Sequence, residues 1–108
     1  MGDQAKELRF EKKLTEEDVN GYLEIPRTAH HLVPEDKDML VLDQSDNCWN
    51  FKSPAKKRGK RYMKRQWPDF VKKESPKTGD ILRYYYNNNE DSFYLELYRQ
   101  TLPDSELP

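Results

Sequence analysis

Between Lys56 and Arg65 the chain reads Lys-Lys-Arg-Gly-Lys-Arg-Tyr-Met-Lys-Arg, seven positive charges in ten residues with no acid among them. The chemistry such a run serves is recognition of a polyanion. Lysine ammonium groups neutralise phosphates as compact charges, while an arginine fork matches the O6 and N7 acceptors on a guanine edge. Arg58 is therefore the first candidate for a base contact and Arg61 the second. Lys52, Lys56, Lys57 and Lys60 fit phosphate contacts that set register and supply affinity without sequence information. Lys64 and Arg65 adjoin a predicted helix and suit either role. Lys12 and Lys13 are further candidates, weighed against ordinary exposed strand lysines.

The formal net charge of the 108 residues is only -1, which conceals this patch. Residues 1–50 carry six Lys and Arg against twelve Asp and Glu, residues 51–77 carry eleven against two, and residues 78–108 carry two against six. Segregation of this kind focuses a positive potential on one surface. The competing reading is a solvated loop or a signal read by a transport receptor. Aromatic residues bracket the run at Trp49, Phe51, Tyr62 and Trp67, and a loop anchored at both ends by buried aromatics is a presented loop rather than a tail.

Other chemistries find little support. His30 and His31 are neighbours, and adjacent helical residues point about 100° apart, so they form no two-ligand metal face. No paired acid sits in an apolar setting, no nucleophile motif has its context, and no glycine-rich phosphate loop occurs. The expectation is a non-enzyme with no cofactor and no metal. A single cysteine, Cys48, excludes an intramolecular disulfide and reads as a small core or strand residue. No apolar run approaches the roughly 20 residues of a membrane span, so no membrane partner is expected.

The elements that must position the basic run follow from local pattern. One domain is expected over 8–100, with residues 1–7 a disordered extension and 101–108 a disordered tail. Leu8–Lys13 reads as a strand, and Thr15 with Asp18 three residues on as a helix start. A short strand Tyr22–Ile25 precedes Pro26, which suits the first position of a helix ending near Pro34. Met39–Asp43 and Cys48–Lys52 form a strand pair across a polar turn, and the basic run links the second of these to a strand at Tyr62-Met63. Trp67, Phe70 and Val71 have helical spacing, with the helix stopping before Ser75-Pro76. Ile81–Tyr86 and Phe93–Tyr98 close the set as strands, and Trp49, Phe51, Trp67 and Phe70 are expected in the core.

In order along the chain, Phe10-Glu11-Lys12-Lys13-Leu14-Thr15, Asp18-Val19, Leu23-Glu24-Ile25-Pro26-Arg27, Trp49-Asn50-Phe51-Lys52, Trp67-Pro68-Asp69-Phe70-Val71-Lys72 and Thr78-Gly79-Asp80-Ile81-Leu82 resemble the plant B3-type DNA-binding domain over roughly Arg9 to Arg99. The resemblance implies a mostly-β fold, an open seven-stranded pseudobarrel with two short α-helices. It also implies two loop arms that enter the DNA major groove. Mapped onto this chain, the first arm is Lys12 to Gly21, including Lys13 and Thr15, and the second is Lys52 to Arg61, including Ser53. Thr15 is weighed there between a helix cap and a DNA ligand. The second arm coincides with the basic run found from charge.

The chain departs from the family pattern on the first arm. Glu17-Asp18 stands where members usually show Ser-Asp, and Glu16, Glu17 and Asp18 form an acidic trio whose approach to a polyanion is unfavourable. The expectation is a nuclear, sequence-specific double-stranded DNA-binding domain of a plant transcriptional regulator. The alternative is a protein-interaction domain on the same barrel, with the basic loop acting as a nuclear-import signal and protein partners on another face. A third reading, single-strand or RNA binding, requires exposed aromatics, for which Tyr84, Tyr85 and Tyr86 are the candidates.

Overall fold

The computed structural model describes residues 6–100, so the tail expected at 101–108 and the first five residues of the expected extension lie outside the described residues. Strand β1 (Lys6–Lys13) starts two residues ahead of the expected boundary, because Lys6 and Glu7 pair in register with Asn87 and Tyr86. There follow α1 (Glu16–Asn20), β2 (Leu23–Glu24), a 3-10 helix (Arg27–Leu32), β3 (Asp38–Asp43), β4 (Cys48–Lys52), β5 (Tyr62–Arg65), α2 (Trp67–Glu74), β6 (Ile81–Asn87) and β7 (Ser92–Tyr98). The strands form one seven-stranded sheet in the order β1-β6-β7-β3-β4-β5-β2, curled into an open pseudobarrel. Neighbours run antiparallel except β3 and β7, where Val41 to Asp43 register in parallel with Phe93 to Leu95.

Alternation fixes which face each strand buries. On β4, Trp49 and Phe51 point into the core while Cys48 and Asn50 face out. Cys48 is thus an exposed strand residue, not a core one. Phe10 of β1, Leu23 of β2, Met39 and Val41 of β3, Met63 of β5, Leu82 and Tyr84 of β6, and Phe93 and Leu95 of β7 join them in the core. α2 packs against β4 and β5. Its Trp67 and Phe70 stack at 5.4 Å, and Phe70 meets Trp49 edge-on at 5.7 Å. Full burial of such a side chain contributes about 1.5–3 kcal/mol by area, so this aromatic cluster carries much of the volume that aliphatic residues would otherwise supply.

Two helical expectations change. The helix expected from Pro26 to Leu32 is a 3-10 helix, and the second short α-helix is α1. A six-residue segment with Pro26 before it and Pro34 just beyond has little room for α-helical bonding. Its His30 carbonyl is instead taken by a buried arginine described below. α1 is held by a capping box: the Thr15 hydroxyl accepts from the Asp18 amide at 3.2 Å, and the Asp18 carboxylate accepts from the Thr15 amide at 2.9 Å. Such reciprocal capping satisfies two donors that a five-residue helix cannot pair internally.

Candidate nucleic-acid interface

The loop between β4 and β5 is a hairpin with a fastened neck. At its tip the Lys57 amide donates to the Lys60 carbonyl at 2.9 Å and the Lys60 amide donates back to Lys57 at 3.1 Å. Arg58 and Gly59 lie between them at φ +56° and +78°. Positive φ at both central residues is the signature of a type I′ turn, whose twist matches flanking strands and whose second position suits glycine. Arg58 therefore stands at the apex, exposed, with Lys56, Lys57 and Lys60 also exposed around it.

At the neck sits Arg61, only 1% exposed. Its Nε donates to the Pro54 carbonyl at 3.3 Å, one terminal nitrogen to His30 and Val33 carbonyls at 2.7 and 2.9 Å, and the other to Pro34 and Ser53 carbonyls at 2.9 and 3.4 Å. Burial holds the guanidinium below its ordinary value, offset only in part by Glu35 and Asp36; arginine stays charged nonetheless. Ser53 is fully buried beside it. Two expected DNA contacts, Arg61 and Ser53, are thus withdrawn: neither side chain reaches the surface, because every N–H of Arg61 is committed to a backbone carbonyl.

The hairpin is flanked by basic concavities. One, of about 480 Å³, is lined by Pro54, Ala55, Lys57, Arg58, Lys60, Tyr62 and Lys64 along one side of the arm, with Arg61 beneath. A second, about 420 Å³, shares Pro54 and Lys64 and adds Tyr22, Asp36, Lys52 and Arg65. On the other side of Gly59, Arg27, His30, His31 and Lys56 line a third of about 350 Å³. Lys64 stands over the Tyr22 ring at 5.2 Å, a cation–π contact that ties β5 to the segment following α1. Lys52 is opposite Lys64 on β5 and opposite Asp38 on β3. Arg65 makes an exposed pair with Asp38 at 3.6 Å, which contributes little to stability.

The segment from Lys12 to Gly21 is organised differently. Lys12 Nζ donates to the buried Asp18 carboxylate at 3.0 Å and to the Glu24 carbonyl at 2.7 Å. Asp18 also accepts from the Glu24 amide at 3.0 Å, and its own carbonyl accepts from Trp67 Nε1 at 2.9 Å. Lys12 is therefore an internal partner of Asp18, and Thr15 serves as the cap. The acidic trio shrinks correspondingly. Asp18 is buried and neutralised, leaving Glu16 and Glu17 exposed. Lys13 remains exposed at the end of β1.

The B3 DNA binding domain profile matches residues 10–101 of this chain. The chain belongs to the B3 DNA binding domain family. Solved structures agree in fold. A hypothetical Arabidopsis thaliana protein superposes with TM-score 0.71 at 25% identity, covering 95% of this chain and all of that one. The Arabidopsis FUS3–DNA complex gives 0.71 at 18% identity, covering 88% of this chain and 100% of that one. The LEC2–DNA complex, also from Arabidopsis thaliana, gives 0.65 at 19% identity, covering 89% and 96%. No curated protein matches the sequence.

In this B3 domain the two loops expected as arms from the sequence lie between β1 and β2 and between β4 and β5, and the basic concavities border the second of them. The structure groups Lys56, Lys57, Arg58 and Lys60 on the second arm and sets Lys52, Lys64 and Arg65 beside it. Arg27, His31 and Tyr22 join this surface though the sequence singled out none of them as contacts. Arg27 was legible only as a lone arginine after Pro26; the signal is its approach to within 3.7 Å of where a Cβ on Gly59 would lie. The tyrosines considered for single-strand stacking are otherwise engaged. Tyr84 is buried, the Tyr85 hydroxyl donates to Glu96 at 2.9 Å, and the Tyr86 hydroxyl donates to Asp91 at 2.7 Å with Arg9 over its ring. Among the described residues no helix is long and apolar enough to cross a membrane.

Proposed function

We propose that this chain is a sequence-specific double-stranded DNA-binding domain of a plant transcriptional regulator, acting in the nucleus and reading the major groove with its two arms. The observation that carries the reading is the second arm: a type I′ hairpin presenting Arg58 at its apex with Lys56, Lys57 and Lys60 around it. A preformed arm spends little ordering entropy on entering a groove, so its contacts convert more fully into affinity. Arg58 is the base-reading candidate, and Lys56, Lys57 and Lys60 are the phosphate contacts, with Lys52, Lys64, Arg65, Lys13 and Arg27 adding to the positive surface.

Membership of the family and the likeness to the FUS3 and LEC2 DNA complexes support the same direction. Selection from a random duplex library with the full chain tests it. One enriched sequence whose log affinity falls steeply and linearly with log salt is expected. A library that stays random at low salt would favour the protein-interaction alternative, with Glu16 and Glu17 holding the first arm off the phosphates.

A further inference from the structure

Arg61 is a buried cation whose direct contacts are all backbone carbonyls, with Glu35 and Asp36 acting on it only through their charge. A guanidinium has five N–H donors in a rigid fork, and each finds a carbonyl: two at the start of the second arm, on Ser53 and Pro54, and three on the segment around the 3-10 helix, on His30, Val33 and Pro34. Arg61 is itself the last residue before β5. One side chain therefore joins the two ends of the arm to each other and bolts both to a neighbouring segment. Lys60 is its immediate neighbour in sequence, and Lys57 lies three residues beyond Pro54, so the hairpin tip has almost no free chain between it and the neck. Stability alone is a poor reason for the arrangement, since an apolar residue of similar volume packs such a site at lower desolvation cost.

We propose that Arg61 is the positioning residue of the DNA-reading arm: it fixes the aim of Arg58 without touching DNA. The proposal rests on the function proposed above. Its consequence is a separation of two quantities that a phosphate contact would change together. Losing the fork while keeping the charge leaves the arm's lysines in reach of phosphates, so salt dependence persists, but the apex no longer meets one base edge in one geometry. Lysine cannot substitute, because its three donors have no planar fork.

The test compares native chain and Arg61→Lys, both as full chains shown folded by thermal melting, on the duplex enriched by selection and on an unrelated duplex. The expected result is a fall of about tenfold in the ratio of the two affinities, the size of one lost base contact, with an unchanged salt slope. An unchanged ratio overturns the proposal, whether both affinities stay where they are or both fall together, as they would if Arg61 were a phosphate contact. No preference in the native chain sinks the DNA reading itself, a distinct outcome. Amide exchange on the native chain holds the proposal to account even if the variant does not fold. The Lys57 and Lys60 amides are expected to open together with the Arg61 Nε–H, at the same rate and with the same denaturant dependence. Exchange of those two amides at free-peptide rates beside a protected Arg61 would show that the neck does not hold the tip, and would overturn it.

Discussion

Arg58 holds φ +56°, a left-handed conformation that costs an L-residue about 1 kcal/mol and that asparagine tolerates better at the first position of a type I′ turn. An arginine kept there at a cost is expected to serve something other than folding. Arg58→Asn should raise stability by up to about 1 kcal/mol in urea unfolding while lowering the preference for the enriched duplex by about 1–3 kcal/mol. Arg58→Lys should restore non-specific affinity but not the preference. A variant that lost stability and kept specificity would place base readout elsewhere. Lys12 makes the opposite case. Lys12→Met strands the Asp18 carboxylate in a buried site, so a loss of about 1–3 kcal/mol in stability is expected with the salt slope unchanged. A reduced slope would return Lys12 to the DNA surface. Arg58 and Arg61 are three residues apart in one basic run, and composition cannot tell them apart. Which one is spent on carbonyls is decided by His30, Val33 and Pro34, a quarter of the chain away, and no local pattern carries that.

At the scale of the element, the second arm was legible because charge, glycine and flanking aromatics all fell on one segment, whereas its hairpin geometry was not. Lys-Arg-Gly-Lys lacks the Asn-Gly or Asp-Gly pair that marks a type I′ turn in sequence. If Lys56, Lys57 and Lys60 each meet a phosphate, replacing all three with alanine should reduce the salt slope by about 2.7 units and weaken every duplex alike. A slope that does not move would locate the phosphates on Lys52, Lys64 and Arg65 instead. The strands were legible from alternation, and α2 from the spacing of Trp67, Phe70 and Val71. The 3-10 helix was not, since proline-bounded short helices of both kinds share one sequence signature; the choice falls to where their carbonyls find donors. The first arm was half legible. Thr15 and Asp18 announced a cap, but the pairing of Asp18 with Lys12 depends on β2, where the Glu24 carbonyl accepts from Lys12 and the Glu24 amide donates to Asp18.

For the whole molecule, the acids outside the basic run include one with a structural role, Asp43 at the end of β3. Burial alone would push the Asp43 carboxyl up, but Trp49 Nε1, the Asn47 amide and side chain and the Ser45 amide all donate to it and hold it below the ordinary aspartate value. A carboxyl lowered in the folded state contributes stability that is full above about pH 5 and is lost as pH falls through about 4 toward the folded value. Urea unfolding across pH should therefore show Asp43→Asn destabilised by a constant amount above pH ~5, with the gap to the native chain narrowing below pH ~4. A gap that stays constant into acid would mean that the carboxyl is not held low. Segregated charge made the partner class readable in the sequence, and short strands punctuated by turns, with the resemblance to the B3 domain, made the fold class readable. The division of the basic residues into those facing outward and those facing inward became visible only once the sheet closed.

The central claim is that duplex DNA meets the two arms. Titration of the isotope-labelled full chain with the enriched duplex, followed by amide chemical shifts, tests it most directly. The largest changes are expected at Lys56–Lys60 on the second arm, smaller ones from Lys13 to Tyr22, and none on the outer face around Cys48 and Tyr94. Changes confined to that outer face, or an arm whose resonances stay in place while the duplex binds, would contradict it.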